Sequence, residues 1–203
     1  MKPMPRSLSA ATGFSLLELL IVVALIAVLS AMMYSFSSGH HQRTQKELCS
    51  DNLLKIYISL QIYANDFKGT LPLSTNAQTS EDVLDALVPR YTADTSIFIC
   101  PGGRDSDIPS GESLRKFRIS YAYYMGRHLD SPTNTLMSDR QVNTAWKTNG
   151  DFAFSPDGRP PGNNHHKFGG NFLFCDGSVQ SSSAQLDFSI PPAPGVVLLN
   201  PKP

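Results

Sequence analysis

The 203-residue sequence lacks an excess of charge of either sign and lacks the motifs that carry common catalytic chemistry. It contains 17 basic and 17 acidic residues, so its formal net charge is zero. A balanced charge argues against nucleic-acid binding, which needs lysine and arginine in excess on one face. The sequence has no nucleophile elbow, no EF-hand spacing and no Cys/His pairs at zinc-ligand spacing. We therefore predict a non-enzymatic protein that binds no nucleic acid.

One long apolar run lies near the N-terminus, from Gly13 to Phe36, and its central part from Leu19 to Met33 contains no charged residue. At about 1.5 Å per residue, a helix that begins at Phe14 is long enough to cross a hydrocarbon core of roughly 30 Å. Lys2 and Arg6 precede the run and favour a cytoplasmic N-terminal end. The sequence predicts a single-pass inner-membrane protein whose remaining residues lie in the periplasm.

The small residue Gly13 comes before the apolar run, whereas the cleavage site of a secretory signal follows it. The residues GFSLLE at positions 13 to 18 resemble the processing motif of type IV pilins and type II secretion pseudopilins. The resemblance implies that a prepilin peptidase cuts after Gly13 and that Phe14 becomes an N-methylated N-terminus. It also implies that Glu18 is the buried glutamate of that family. Removal of residues 1–13 would take away two of the 17 basic residues and leave a net charge of about −2.

Glu18 needs a partner, because an unpaired charge within a membrane costs about 2.5 to 3.5 kcal/mol or more, depending on its depth. The amine of Phe14 in the same chain is one candidate. The amine of a neighbouring subunit is another, and it is the partner that the resemblance implies. A third interpretation has Glu18 reaching to the membrane interface, where the helix dipole favours a carboxylate.

An amphipathic pattern continues the helix beyond the membrane segment. Apolar residues recur at steps of three and four from Cys49 to Phe67, so they share one helix face. Gly69 and Pro72 then stop the helix. We predict one helix from about Phe14 to about Phe67, whose second half packs on a soluble domain.

The rest of the chain predicts short elements. Thr79 or Ser80 begins a short helix, and apolar or alternating runs predict strands at 97–100, 119–124 and, more weakly, 134–138. Residues 171–175 and 178–181 flank Asp176-Gly177, which predicts a two-residue type I′ hairpin turn with Phe172 and Phe174 buried on one face. Five prolines among residues 191–203 predict an extended tail.

Short motifs in the soluble part support a second resemblance. They are CSDNL at 49–53, YAND at 63–66, LP at 71–72, FICP at 98–101, SYAY at 120–123, and His166 followed after nine residues by Asp176-Gly177. From Gly13 to about Val179 the chain resembles pilin-like proteins with a processing-associated H-X9-DG domain. The resemblance implies an α+β, pilin-like fold in which a long N-terminal helix packs on a small antiparallel sheet with irregular loops. The predicted segments are a leader at 1–13, a transmembrane and polymerisation helix at 14–36, its amphipathic continuation at 37–68, a globular H-X9-DG domain at 69–190 and a Pro-rich tail at 191–203.

Three cysteines cannot all pair within one molecule. Cys49 lies on the core-facing side of the predicted helix and Cys100 ends an apolar run, so both can lie in the core near each other. We predict a Cys49–Cys100 disulfide, which the periplasm permits, and a free, buried Cys175.

Two kinds of site remain open. Asp151, Asp157 and Asp176 offer hard oxygen ligands in a loop-rich region, so calcium is the one cofactor that the sequence leaves open. His166 and Asp176 could instead be a catalytic pair, although an aspartate in a DG turn commonly caps its own turn and a histidine commonly bonds a neighbouring backbone group.

These features predict a subunit that is cut by prepilin peptidase and joins other pilin or pseudopilin subunits through its N-terminal helix. The product would be a type IV pilus-like filament or a type II secretion pseudopilus. The alternative is a membrane-anchored surface module that keeps the helix only for export and anchoring, and that binds a carbohydrate or another cell-envelope polymer through loops 102–116 and 150–164. A membrane-anchored hydrolase that uses His166 and Asp176 is the third hypothesis.

Overall fold

The structure, a computed structural model, describes residues 14–203 and has an α+β architecture. The chain divides between His40 and His41 into two compact units. The helices are α1 (Leu16–Asp66) and α2 (Ser80–Leu84), with 3-10 turns at Asp85–Leu87, Thr95–Phe98 and Leu114–Lys116. The strands are β1 (Tyr121–Met125), β2 (Thr135–Asp139), β3 (Gly170–Phe174), β4 (Val179–Ser182) and β5 (Val197–Leu199).

In the first unit, α1 begins after Ser15, whose hydroxyl oxygen accepts a hydrogen bond from the Leu17 amide at 3.2 Å and so caps the helix. Every side chain from Phe14 to Met33 is exposed. By length and composition, Leu16–Met33 could cross a membrane. The prediction of one helix from about Phe14 to about Phe67 is confirmed, with bounds at Leu16 and Asp66.

In the second unit, the part of α1 after His41 packs on an antiparallel sheet. Each of its buried apolar positions lies three or four residues from another, so one face of the helix enters the core. They are Cys49, Leu53, Ile56, Tyr57, Leu60 and Ala64. The predicted arrangement of a long helix on a small antiparallel sheet is therefore confirmed.

The sheet has the strand order β4-β3-β2-β1-β5, and neighbouring strands are antiparallel. Successive side chains point to opposite faces of a strand. In β1, Tyr121 and Tyr123 join the core cluster that contains α1, whereas Ala122 and Tyr124 join a second cluster with Phe154. Because β1, β2 and β3 are buried on both faces, their sequences show little alternation between polar and apolar residues.

Two local predictions need correction. The run at 97–100 was predicted to be a strand, but Thr95–Phe98 is a 3-10 turn whose start is capped by the Asp94 carboxylate, which accepts from the Ser96 amide at 3.1 Å. The β3–β4 turn has three residues, 175–177, and only Gly177 has a positive φ, so it is not type I′. The Phe174 carbonyl accepts from the Gly177 amide at 3.0 Å, as in a type I turn followed by a left-handed glycine.

The Pro-rich tail, residues 191–203, reaches the edge of the sheet. The tail is extended at Val197–Leu199, and there it forms β5 at the sheet edge beside β1. An edge position accommodates nearby prolines, because one side of an edge strand needs no ladder hydrogen bonds. Val197–Leu199 therefore belongs to the same sheet as β1 to β4.

Candidate functional site

The first candidate site is the start of α1. Gly13, the predicted cleavage residue, lies outside the described residues. Phe14 is 77% exposed and Glu18 is exposed within the first turn of α1. The side chain of Glu18 makes no hydrogen bond or ion pair within residues 14–203. A carboxylate without a partner on an apolar helix is available to pair with a group from another molecule.

The second candidate site surrounds the disulfide between Cys49 and Cys100. The two residues are buried, with their Cα atoms 5.4 Å apart, and the bridge ties α1 to the segment after the second 3-10 turn. The Nε2 atom of His165 lies 3.5 Å from the Cys100 sulfur and 3.3 Å from Oδ2 of Asp139. Cys175 is free and buried, and burial raises the pKa of its thiol to about 11.

Asp139 holds this buried cluster together. Its Oδ2 accepts from the Asn171 amide at 2.7 Å, and its Oδ1 accepts from Nδ2 of Asn164 at 3.1 Å. Asn164 also donates to the Ser120 carbonyl at 2.8 Å. A buried carboxylate needs such donors, and here they join β2, β3 and the loop that carries His165.

The cluster brings together four residues of types that can ligate a metal ion. The sulfurs of Cys49 and Cys100, a carboxylate oxygen of Asp139 and a ring nitrogen of His165 all lie within 4.8 Å of one another. Metal binding requires thiolate sulfur, and in the disulfide the sulfurs bind each other. Only His165 and Asp139 remain as donors, fewer than the three or four protein ligands of zinc sites.

The three aspartates predicted to bind calcium do not form one group. Within the described part of the chain, the disulfide cluster is the one set of three or more candidate metal ligands that come together. Asp151 accepts from the Thr148 amide at 2.7 Å, and Asp157 accepts from the Ser155 hydroxyl at 2.8 Å. These local bonds lower the pKa values of both carboxyls and account for the aspartates as turn residues.

His166 and Asp176, the predicted catalytic pair, lie at different places. Asp176 caps its own hairpin turn by accepting from the Ser178 amide at 2.8 Å, and hydrogen bonds from Ser178 lower its pKa. It lines a cavity next to Phe188, whereas His166 lines another cavity among arginines. His166 has a φ of +52°, in the left-handed region that histidine adopts more readily than most side chains. The geometry gives the hydrolase hypothesis no support.

The cavity beside His166 is the third candidate site, and we call it the cationic cavity. Its volume is about 270 Å³. Both loops that the sequence assigned to a binding surface contribute, through Gly102, Gly103 and Arg104 from one and Pro160, Asn163 and Asn164 from the other. The remaining lining comes from α1 and the sheet region, with Gln42, Gln45, Pro101, Arg118, Arg140 and His166.

Gly102 lets the two loops approach each other. A Cβ atom at this position would lie 2.5 Å from the Asn164 carbonyl oxygen and 2.8 Å from Nδ1 of His165. Real side chains do not tolerate such contacts, so glycine is needed at position 102, where the loops meet. The same close approach places the Asn164 and His165 cluster directly behind the cavity.

The charges around the cavity are unequal. The buried Asp105 carboxylate accepts from Nε of Arg118 at 2.5 Å and from an Arg140 terminal nitrogen at 2.9 Å. The exposed Arg104 has no hydrogen-bond or ion-pair partner in the described residues, and no acidic side chain lines the cavity. Three arginines against one aspartate leave two positive charges in excess, which favours an anionic ligand. No local motif links Arg118, Arg140 and Asp105, so the sequence alone does not predict that these side chains meet.

Comparison with known proteins identifies the N-terminal segment. Residues 8–34 match the family described as Prokaryotic N-terminal methylation motif. No curated protein and no solved structure matches the chain. The motif is that of a type IV pilin-like or pseudopilin-like precursor, a structural rather than enzymatic class. It implies processing by prepilin peptidase, assembly with other pilin subunits, and membrane anchoring through the apolar helix.

Proposed function

We propose that the chain is a pilin-like or pseudopilin-like subunit that is cut after Gly13 and assembles through α1. The filament would be type IV pilus-like or a type II secretion pseudopilus. The second unit, His41–Pro203, would lie in the periplasm before assembly. One observation carries the proposal: the methylation motif includes the apolar first part of α1, Leu16–Met33, in which every side chain is exposed. The one carboxylate of this segment, Glu18, is unpaired within residues 14–203.

The physical role of α1 follows from its composition. In the membrane, lipid covers the apolar side chains of Leu16–Met33. In a filament, the same segments from neighbouring subunits would cover one another. Glu18 would then pair with the N-terminal amine of a neighbour's Phe14, because a charge buried without a partner is costly. One polar pair in an apolar seam also fixes the register of the helices.

The role of Glu18 is tested by comparing assembly with membrane insertion. We expect Glu18→Gln and Glu18→Leu to insert into membranes as the parent does but to yield at least about tenfold fewer filaments, since an interaction of 1.4 kcal/mol corresponds to a factor of ten. Glu47→Gln is the matched control, because Glu47 is an exposed glutamate in the part of the same helix that belongs to the second unit. Normal assembly of Glu18→Leu would show that the pairing role is wrong.

The processing step is tested by sequencing the N-terminus of the mature protein from membranes. We expect N-methylated Phe14. A mature chain that begins after Phe36 would lack the apolar helix and would refute assembly through it.

The cationic cavity favours a second candidate function. The alternative predicted from the sequence, a surface module that binds a carbohydrate or cell-envelope polymer, requires loops 102–116 and 150–164 to act together, and both line this cavity. Filaments isolated from the source cell distinguish the two roles. A major structural subunit would be abundant in them, whereas a binding module would be absent or rare.

A further inference from the structure

We propose that the cationic cavity binds an acidic sugar residue, one carboxylate together with neighbouring hydroxyl groups. The inference rests on the second candidate function, binding of a cell-envelope saccharide, and it specifies the class of sugar. Three features of the cavity carry it: its unpaired cationic donors, its unsatisfied acceptors and its size.

The donors come from the arginines. Nε of Arg118 donates a hydrogen bond to Asp105, and the two terminal nitrogens of Arg118 have no hydrogen-bond partner within residues 14–203. Arg140 has a buried Nε without a partner, and Arg104 is exposed and unpaired in the described chain. The planar fork of N–H groups on a guanidinium matches the two oxygens of a carboxylate. The cavity therefore offers donors for a carboxylate and no acidic side chain to repel it.

The acceptors come from two glutamines on α1. Oε1 of Gln42 and Oε1 of Gln45 are buried and have no donor in the described chain. The amide of Gln45 has a fixed orientation, because its Nε2 donates to the Pro101 carbonyl at 3.1 Å and a carbonyl can only accept. A buried acceptor without a donor is costly, and hydroxyl groups on a ligand would supply the donors. A simple anion such as inorganic phosphate would accept hydrogen bonds from the arginines but would supply fewer hydroxyl donors to the two glutamine oxygens.

The size of the cavity limits the ligand. Pockets for drug-sized ligands measure roughly 300 to 1,000 Å³, and this cavity measures about 270 Å³. It has room for one sugar residue, with the rest of a saccharide extending into solvent. His166, the histidine of the H-X9-DG spacing, is exposed and lines the cavity, so it would contact the ligand.

The test uses the full chain in detergent micelles and saturation-transfer NMR of the sugar signals. The probes are D-galacturonate and D-galactose, which share ring stereochemistry and differ in the carboxylate. We expect galacturonate to bind and galactose not to bind. Arg104→Gln should weaken galacturonate binding at least about tenfold, the effect of losing one hydrogen bond to a charged group. Arg43→Gln is the matched control, since Arg43 is exposed and lines a different cavity; it should leave binding unchanged.

Each other outcome has a defined meaning. Equal binding of galactose would preserve saccharide binding but refute selection by charge. Displacement of galacturonate by an equal concentration of inorganic phosphate would refute the sugar and leave only an anion site. Galacturonate binding that survives Arg104→Gln would refute the cationic cavity as its site. If neither sugar binds, both the acidic-sugar inference and the binding of these saccharides are refuted. That result would leave assembly through Glu18 untouched, because assembly is tested by the Glu18 variants.

Discussion

Replacement of Gly177 by alanine tests how the DG turn packs against α1. Gly177 has a φ of +85°, and a Cβ atom there would lie 2.5 Å from Cε1 of Tyr57. The Tyr57 ring cannot move aside freely, because its hydroxyl donates to the Cys175 carbonyl at 2.9 Å and accepts from Nε2 of Gln61 at 3.1 Å. Alanine at this position therefore meets both an unfavourable backbone conformation and a ring held by two hydrogen bonds.

The expected loss combines two separable costs. A left-handed conformation costs an L-residue about 1 to 2 kcal/mol, and an extra carbon in a filled space costs about 1 to 3 kcal/mol. We therefore expect Gly177→Ala to lower the free energy of unfolding by about 2 to 5 kcal/mol. Gly69 is the matched control, since it has the same φ of +85° and open space around the position of a Cβ atom. Gly69→Ala should show only the first cost.

The assay is urea unfolding of the full chain in micelles, followed by fluorescence of the single tryptophan, Trp146. Removing the Tyr57 ring should remove the clash, so Gly177→Ala should cost less in a Tyr57→Ala background than in the parent. Equal losses for Gly177→Ala and Gly69→Ala would refute the packing argument. They would show that Gly177 is needed only for its turn.

Three further predictions use the same unfolding assay. Replacing Cys49 and Cys100 together by alanine should lower the free energy of unfolding by about 4 kcal/mol, because in the chain-entropy model a bridge across 51 positions restricts the unfolded chain. Cys175→Ala should lower it by about 1 kcal/mol. Similar losses for the two variants would contradict the entropic role of the disulfide. Burial lowers the pKa of Lys147 to about 8 in the folded protein, so between about pH 8 and 10.5 this lysine binds a proton more often in the unfolded chain than in the folded one. The free energy of unfolding should therefore rise by about 1 kcal/mol from pH 7 to 9. Lys147→Met should remove this rise. Glu81 is fully buried and accepts from two backbone amides, so Glu81→Leu should cost about 3 kcal/mol, and a loss under about 1 kcal/mol would contradict its bridging role.

The sequence predicted those parts of the fold that depend on local periodicity. The spacing of Cys49, Leu53, Ile56 and Leu60 identified the helix face that enters the core, because every third or fourth residue of a helix lies on one side. The same periodicity extended the helix to within one residue of its end at Asp66.

Local patterns failed where distant contacts decide the structure. Ile97 and Phe98 are as apolar as strand residues, but the Asp94 cap turns them into a 3-10 segment whose side chains still enter the core. Val197–Leu199 becomes a strand only because β1 presents a free edge to it. Neither the cap geometry nor the free edge is encoded in a hydrophobic pattern.

The cationic cavity could be predicted only in part. The sequence assigned the loops around Gly102 and Asn164 to a binding surface, since both are polar and irregular. It gave no sign that Arg118 and Arg140 would meet at Asp105, because a pairing across 13 and 35 positions follows from the sheet and not from local sequence. The meeting of the two arginines with Asp105 is therefore visible only in the folded structure.

The H-X9-DG spacing separates into two physical roles. Asp176 and Gly177 form a turn in which the aspartate side chain accepts a hydrogen bond from the Ser178 amide and the glycine leaves room for the Tyr57 ring. The His166 side chain has no hydrogen bond or ion pair within residues 14–203 and lines the cationic cavity. Strand β3 lies between His166 and the Asp176-Gly177 turn. The nine-residue spacing therefore corresponds to one buried strand with the turns on either side of it, and not to a distance between catalytic partners. Substitution of Gly177 should therefore change stability, whereas substitution of His166 should change ligand binding and leave stability nearly unchanged.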